Sequence, residues 1–268
     1  MAAVLPALSA LLISAAGPTL SLPMPLPLVA FMGGLIPREA LESRANQEYR
    51  QLLSQAAAQG RLAGPGDPQL QRLQRIARRA IAQAGRYSDA AAGWNWEVNL
   101  IRSGTINAFC MPGGKIAFYS GIIDKLDLTD DEIAVIMGHE AAHALREHAR
   151  ERIGAAMTTN LGIGLLTEFL GIQRYRDYFA LGGQLLTLKF SRDDESDADR
   201  VGLELAARSG FDPRASLRLW EKMTAAGADS SVEFLSTHPS NSSRIDALRS
   251  QLPDVLPLYE QSRPPVPP

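Results

Sequence analysis

The stretch TDDEIAVIMGHEAAH, residues 129–143, decides the fold, because it predicts a helix together with the reactive side chains that the helix carries. It opens with Thr129 and has Glu132 three positions later, a capping box in which each side chain binds the other residue's backbone N–H. We expect the helix to run through both histidines. An α-helix advances about 100° per residue, so His139 and His143 project from neighbouring turns on one face, where two imidazoles can bind one metal ion.

The residues beside this pair indicate what a bound metal could do. Glu140 can reach a water molecule on the metal but not easily the metal itself. Zinc fits, because imidazole and carboxylate are its usual catalytic ligands and a catalytic site keeps a position open for water. Coordination lowers the pKa of that water towards 7, so that Glu140 could take its proton during attack on a peptide carbonyl. His148, five positions after His143, should point away from the pair and be solvated.

A third metal ligand is predicted about fifty residues further on, in SRDDESDADRVG, residues 191–202. Glu195 and Asp199 lie one turn apart on one face of a helix. Glu195 would bind the metal, and Asp199 would accept the free N–H of His139 and so fix the tautomer of that ring. The same acidic run also suits a solvated first helical turn, where the helix dipole favours carboxylates. Its five acidic residues near two candidate histidine ligands favour a metal site.

Composition limits the other interpretations. The chain has 268 residues, of which 46% are apolar and 21% charged, with 27 basic against 29 acidic side chains. These values are typical of one main globular domain and give no reason to expect nucleic acid as a partner. Cys110 is the single cysteine, so an intrachain disulfide is excluded, and its neighbours supply no base. We interpret it as a small packing residue rather than a nucleophile or a lipid-anchored cysteine.

Residues 1–37 contain no charged side chain and form a signal-like or apolar N-terminal segment. Ser14 and Ala16 fit the small-x-small pattern of a signal-peptide cleavage site, although the usual positive start is missing. Prolines between 18 and 37 break up the remainder, which argues against a continuous membrane span. An export signal, a membrane anchor and a start codon assigned too far upstream remain the three interpretations.

The remaining patterns predict an α+β fold that is mainly α-helical. Alternation in WNWEVNLI, residues 94–101, predicts a strand, and KIAFYSGII, residues 115–123, predicts its partner in a small antiparallel sheet. Cap and stop residues place the helices over 38–59, from Asp67 and Pro68 to Gly85, from Thr129 to near Gly154, over 191–210, from Asp212 to Gly227, and from about Asn241 to Leu252.

These elements suggest a catalytic domain over 38–254, with its core at 94–252, followed by a Pro-rich tail at 255–268. The apolar run TNLGIGLLTEFLGI, residues 159–172, is too short to cross a bilayer. We expect a buried or surface-docked helix there, with shallow contact to a membrane surface as the alternative.

Four motifs occur together in the chain: NAFCMPGGKIAFYSGII at 107–123, HEAAH at 139–143, SRDDESDADRVG at 191–202 and HPSNSSRI at 238–245. In this order they resemble the zinc metallopeptidase family of the CAAX prenyl endopeptidase, and within it the soluble HtpX/LoiP-like bacterial envelope proteases. The resemblance covers roughly 94–252. It implies a zincin-like (gluzincin) catalytic domain with one Zn2+ per subunit.

The resemblance also implies roles for individual residues. The zinc ligands would be His139, His143 and Glu195, with Glu140 as general base and acid, Asp199 and Arg244 supporting the ligands, and His238 steadying the oxyanion or contacting the metal when no substrate is present. The residues expected to bind substrate are Asn107 and Ala108, together with Lys115, Ile116 and Ala117 of an edge strand that spans Lys115 to Ser120. Such a strand pairs with an extended peptide through main-chain hydrogen bonds.

The sequence therefore predicts a zinc-dependent endopeptidase that hydrolyses unfolded or damaged proteins in quality control of the bacterial periplasm or cell envelope. Prenylated substrates are not expected, because no membrane span follows residue 37. Two alternatives remain. The first is a metal-bound but catalytically quiet chaperone or assembly factor for envelope proteins. The second is a helical structural protein without metal, whose melting temperature would not respond to zinc. The sequence contains no indication of oligomeric state.

Overall fold

A computed structural model of the chain describes residues 36–155, 185–229, 232–238 and 242–263. The helices, numbered in chain order, are α1 Arg38–Ala58, α2 Pro68–Ile81, α3 Ser120–Lys125, α4 Asp130–Leu145, α5 Arg192–Arg208, α6 Ala215–Asp229, α7 Glu233–Thr237 and α8 Ser242–Ser262. The strands are β1 Glu97–Ile101, β2 Ala108–Met111 and β3 Lys115–Tyr119, and short 3-10 turns lie at Ala84–Arg86, Asp89–Gly93 and Leu185–Thr187. The predicted α+β class, mainly helical, is confirmed.

The two helices that carry the acidic and histidine motifs begin as predicted. The side chain of Thr129 accepts the backbone N–H of Glu132, and the Glu132 carboxylate accepts the N–H of Thr129 in return. Ser191 and Asp194 form the same reciprocal pair at the start of α5. Because these caps fix the first turn of α4 and of α5, they also fix the rotation of every later side chain on the two helices.

The sheet is mixed rather than purely antiparallel. Its strand order is β1-β3-β2, with β3 antiparallel to β2 and parallel to β1. The mixed order arises because the short strand β2 forms a tight hairpin with β3 through Pro112, Gly113 and Gly114. β1 then pairs with the other side of β3. Both glycines have a positive φ, as this turn requires. β2 has only four residues, too few for the alternation that marked the other two strands.

This strand order overturns the prediction that Lys115–Ser120 is an edge strand. β3 is the central strand, and its residues pair with β1 on one side and β2 on the other. Its backbone is therefore not free to pair with a substrate. Ser120 is already the first residue of α3. β2 is an edge strand of the sheet, and the N–H of its Ala108 bonds to the side chain of Asn107 at 2.9 Å.

Helix α4 ends earlier than predicted, at Leu145 instead of near Gly154. Glu147 adopts a left-handed backbone with φ of 58°, after which residues 148–155 are helical again. A left-handed non-glycine residue costs about 1–2 kcal/mol. The Glu147 carboxylate offsets this cost by pairing with Arg38 of α1 and, at 2.6 Å, with Arg150. The chain beyond α4 therefore takes a new direction.

The last helix is longer than predicted. Instead of ending at Leu252, α8 continues through Pro253 and Pro257. Proline removes a backbone donor, yet Leu252 and Val255 are both buried in the core. Packing of this face holds the helix together, and part of the predicted Pro-rich tail is consequently helical.

Several predicted segments lie outside the described residues, namely the apolar run at 159–172, residues 1–35 of the N-terminal segment and the last five residues of the tail. Among the residues that are described, no helix has both the length and the apolar character needed to cross a bilayer. Cys110 packs partly buried against the core, and burial raises the pKa of its thiol well above the usual value. An unreactive packing residue was the expected outcome.

Helix α4 is the centre of the domain, since every residue from Glu132 to Leu145 is buried. It packs against α2, α5 and α6 and against β2. The contact with α5 is the closest, because Gly138 lies directly against Gly202. A methyl group built on Gly138 would lie 2.5 Å from the Gly202 carbonyl oxygen, and one on Gly202 would lie 2.6 Å from the His139 nitrogen. Only glycine at both positions allows this approach.

Replacing Gly138 by alanine tests this contact. We expect Gly138→Ala to lower the free energy of unfolding by about 1–3 kcal/mol, because the added methyl must push α5 away from α4. Thermal and urea unfolding followed by circular dichroism would measure the change. Gly64→Ala is the matched control, since nothing lies within 4 Å of a methyl group built there. Equal stability of the two variants would show that α4 and α5 are not held at this distance.

Candidate active site

Four side chains from three parts of the chain converge beside α4. His139 and His143 come from α4, Glu195 comes from the first turn of α5, and His238 follows α7 directly. One ligand atom from each lies within 4.8 Å of the others, and all four residues are buried. The Nε2 atoms of His139 and His143 are 3.1 Å apart, and Nδ1 of His238 is 3.2 Å from Nε2 of His139.

The surroundings of His139 show which ring nitrogen faces the cluster. Its Nδ1 lies 3.1 Å from a carboxylate oxygen of Asp199, one turn after Glu195. An ionised carboxylate can only accept, so Nδ1 carries the proton and donates it. Nε2 then presents a lone pair to the other ligand atoms. The predicted pairing of Asp199 with His139 is present in the structure.

This donor set fits a metal ion. With Nε2 of His139 unprotonated, several nitrogen and oxygen lone pairs point at one small buried volume, an arrangement that a cation stabilises. Three imidazoles and one carboxylate also match the donor types that catalytic zinc takes. Glu140 has one buried carboxylate oxygen that makes no hydrogen bond among the described residues. That oxygen lies 3.4 Å from Nε2 of His238, at the side of the cluster.

Arg244, from the first turns of α8, holds the two acidic residues in place. Its guanidinium donates to both oxygens of Asp199, at 2.6 and 2.7 Å, and lies 2.6 Å from an oxygen of Glu195. The same group stacks over the ring of Trp220 at 3.8 Å. Burial alone would raise the pKa of Asp199, but the His139 hydrogen bond and the charge of Arg244 lower it below its usual value. Asp199 is therefore an ionised acceptor.

The pKa values of the two glutamates of the site are shifted in opposite directions. Burial raises the pKa of Glu140 above its usual value, and nearby histidines offset only part of that effect. Burial acts on Glu195 in the same sense, yet hydrogen bonds from His143 and His238 and the charge of His139 bring its pKa well below the usual range. A carboxylate that stays ionised suits a metal ligand, whereas one with a raised pKa suits proton transfer.

A groove leads to the site along the free edge of the sheet. Its walls are formed by β2 and by the segment 185–190, and Glu140 and His238 lie at its base. Asn107 and Ala108 line this groove, and their predicted contact with substrate stays a prediction.

The other three predicted substrate residues are elsewhere. Lys115 is tied to Glu97 at 3.0 Å and to the Asn95 carbonyl, whereas Ile116 and Ala117 are packed in the interior. All three lie on the central strand of the sheet, and none of them lines the groove. The structure therefore corrects their assignment.

Sequence reasoning missed two residues that contact His143. His148 is buried, with its Nδ1 2.9 Å from Nδ1 of His143, so the prediction of a solvated side chain was wrong. The left-handed turn at Glu147 brings it back toward the site. Phe190 stacks on the His143 ring, with centroids 3.9 Å apart and planes 27° from parallel. Nothing in the sequence marks Phe190 beyond its position just before the Ser191 cap.

Comparison with known proteins agrees with this geometry. The chain is 34% identical over 220 residues to the mitochondrial metalloendopeptidase OMA1 of Schizosaccharomyces pombe, covering 81% of this chain and 63% of that protein. It is 35% identical over 172 residues to OMA1 of Arabidopsis thaliana, covering 63% of this chain and 34% of that protein.

A bacterial relative is more distant. The beta-barrel assembly-enhancing protease of Escherichia coli is 29% identical over 175 residues, covering 61% of this chain and 36% of that protein. The chain thus spans less than two thirds of the length of each of these three relatives.

A sequence profile described as "Peptidase family M48" matches residues 68–252, which include all the residues of the site. The match begins before the predicted core at 94–252 and ends at the same residue. The finer resemblance to the CAAX prenyl endopeptidase and the HtpX/LoiP-like proteases stays a prediction. On the extent of this match, the chain belongs to peptidase family M48.

Proposed function

We propose that this protein is a zinc-dependent endopeptidase that cleaves unfolded or damaged proteins. The observation that carries the proposal is the convergence of His139, His143 and Glu195 beside a buried glutamate of raised pKa. These three side chains would hold the zinc ion. The bound ion would supply a water of lowered pKa and polarise the carbonyl to be cleaved. The remaining steps fall to side chains of the protein.

Glu140 would act as the proton carrier. One of its carboxylate oxygens makes no hydrogen bond among the described residues, so this oxygen is free to accept a proton from the attacking water. Burial raises the pKa of Glu140 above its usual value, which favours proton uptake, and the acid so formed could protonate the leaving amine. The burial of Glu140 strengthens this role, because bulk water cannot compete for the proton.

His238 would stabilise charge on the substrate. Its Nε2 lies 3.4 Å from Glu140 and its Nδ1 lies 2.9 Å from Glu195, so the ring stands between the proton carrier and a ligand. Burial lowers the pKa of His238, but the two carboxylates outweigh that effect and raise it above the usual value. A protonated imidazole here could donate to the oxyanion of the tetrahedral intermediate. Contact with the metal in the absence of substrate is its second proposed role.

The substrate would pair with the outer edge of β2 through main-chain hydrogen bonds, in place of the bond that the Ala108 N–H now makes to the Asn107 side chain. Backbone pairing tolerates many side chains, which suits a protease that takes unfolded segments of varied sequence. The name of the Escherichia coli relative, a beta-barrel assembly-enhancing protease, supports a task in the bacterial cell envelope. We propose quality control in the periplasm or at the envelope membranes. A catalytically quiet chaperone is disfavoured, because each position that the reaction needs is filled.

Zinc binding can be tested through stability. Zinc should raise the melting temperature of the metal-free full-length protein, because it binds only the folded state; at a free concentration about 100 times Kd the gain is about 2.7 kcal/mol. We expect Glu195→Gln to lose most of this gain. Glu204→Gln is the matched control on the same helix, since Glu204 pairs with Arg208 at 2.7 Å and is not one of the clustered ligands. If zinc does not change the melting temperature of the wild-type protein, the proposed metal site is excluded.

The role of Glu140 can be tested by cleavage of casein. Glu140→Gln should lower kcat by about 100- to 10,000-fold while zinc content stays equal to wild type, because the proton acceptor is lost and the ligands are not. Exposed Glu221 provides the control substitution, Glu221→Gln, which should cleave normally. If zinc-loaded wild type itself fails to cleave, the quiet chaperone becomes the better explanation.

The two proposed roles of His238 make different predictions. If it stabilises the oxyanion, His238→Ala should lower kcat by about 100- to 1,000-fold and leave zinc affinity unchanged. Zinc titration and casein cleavage on the same preparation would measure both quantities. A loss of zinc affinity with little change in kcat at saturating zinc would instead assign His238 to the metal.

A further inference from the structure

His143 has a partner on the side of its ring that faces away from the ligand cluster. Its Nε2 faces the cluster, 3.1 Å from Nε2 of His139 and 3.4 Å from an oxygen of Glu195. Its Nδ1 lies 2.9 Å from Nδ1 of His148. Nε2 of His148 lies in turn 3.3 Å from a carboxylate oxygen of Asp197. Two imidazoles and a carboxylate thus form a continuous chain leading away from the candidate metal.

The direction of every hydrogen bond in this chain follows from its two ends. A neutral histidine that binds a metal through Nε2 carries its proton on Nδ1. His143 must then donate from Nδ1, and Nδ1 of His148 must accept. The proton of His148 is therefore on Nε2, from which it is donated to the Asp197 carboxylate, a group that can only accept. Only one arrangement of protons satisfies all three groups.

We propose that His148 and Asp197 are positioning residues for His143, which fix its tautomer and the direction of its Nε2 lone pair. Metal-binding histidines ordinarily donate their second N–H to a carboxylate, a carbonyl or water. His139 has this arrangement directly with Asp199. His143 has it through an inserted imidazole, so that both histidine ligands are anchored to carboxylates of α5. The inference rests on the metal site of the proposed function.

The backbone and the packing around His148 support this assignment. If α4 had continued as a regular helix, His148 would lie about 140° from His143 around the axis, too far to touch it. The left-handed Glu147 removes that offset. Phe190 covers the face of the His143 ring, so the ring is held both by stacking and by the hydrogen bond from Nδ1. His148 is buried, which removes water as an alternative acceptor.

Three substitutions at His148 separate the hydrogen bond from packing. The amide of asparagine can occupy the position of Nδ1, because both are bonded to Cγ, and can still accept from His143. Glutamine reaches the position of Nε2 instead, keeping the bond to Asp197 but losing the acceptor. Leucine loses both. The zinc Kd of each full-length variant would be measured by competition with a chromophoric chelator, and the melting temperature of each metal-free variant by circular dichroism.

We expect His148→Gln and His148→Leu to bind zinc about 10- to 100-fold more weakly than wild type, with His148→Asn closest to wild type. A packing role predicts the reverse, because asparagine is the smallest of the three and leaves the largest cavity. Arg200→Gln is the control, since Arg200 bonds to Asp197 at 2.7 Å but is not part of the chain. Its zinc affinity should match wild type.

The outcomes distinguish this inference from the proposed function. If wild type binds zinc but all three His148 variants bind it equally well, or if their affinities follow the melting temperatures of the metal-free forms, the positioning role is wrong and the protease proposal stands. If wild type itself does not bind zinc, both are wrong.

Discussion

The contact between Gly138 and Gly202 is the constraint on which the site depends. The candidate ligands His139 and Glu195 lie on two different helices. Because their side chains are short, they can meet only if the helix backbones approach closely. Glycine at both positions of the crossing provides that approach, with no room for a methyl group on either side. The same contact places His139 next to Asp199, because Glu195 and Asp199 share one face of α5.

Such a site brings a further requirement, because it buries several ionisable groups together. Four histidines, three carboxylates and Arg244 are all removed from solvent in and around the cluster. Burying a charge is costly unless a partner and hydrogen bonds accompany it. Arg244 provides such a partner, because its guanidinium pairs with both Asp199 and Glu195. The Trp220 ring stacks against the guanidinium. The helix α8 that supplies Arg244 is thus part of the site's electrostatics as well as of the hydrophobic core.

The sequence predicted the features that depend on residues close together in the chain. The capping boxes at Thr129 and Ser191 and the one-turn spacing of His139 and His143 follow from helix geometry alone. His148 could not be placed in this way, because its direction depends on a left-handed residue stabilised by Arg38, more than a hundred positions away. The edge strand was misassigned for a similar reason. Strand order depends on β2, a segment of four residues with no pattern of its own.

The burial of the site also raises the question of which contacts a peptide in the groove would disturb. Glu140 and His238 are both buried in this conformation, and the segment 185–190 lies across the groove from β2. Separation of α4 from α5 would disperse the ligands and break the contact of Gly138 with Gly202. Displacement of 185–190 or of α7 would leave the helices that carry His139, His143 and Glu195 in place, although it would take Phe190 from the His143 ring or His238 from Glu195. The walls of the groove and the crossing of α4 with α5 are therefore separate parts of the structure, and only the crossing sets the distance between the helices that carry the ligands.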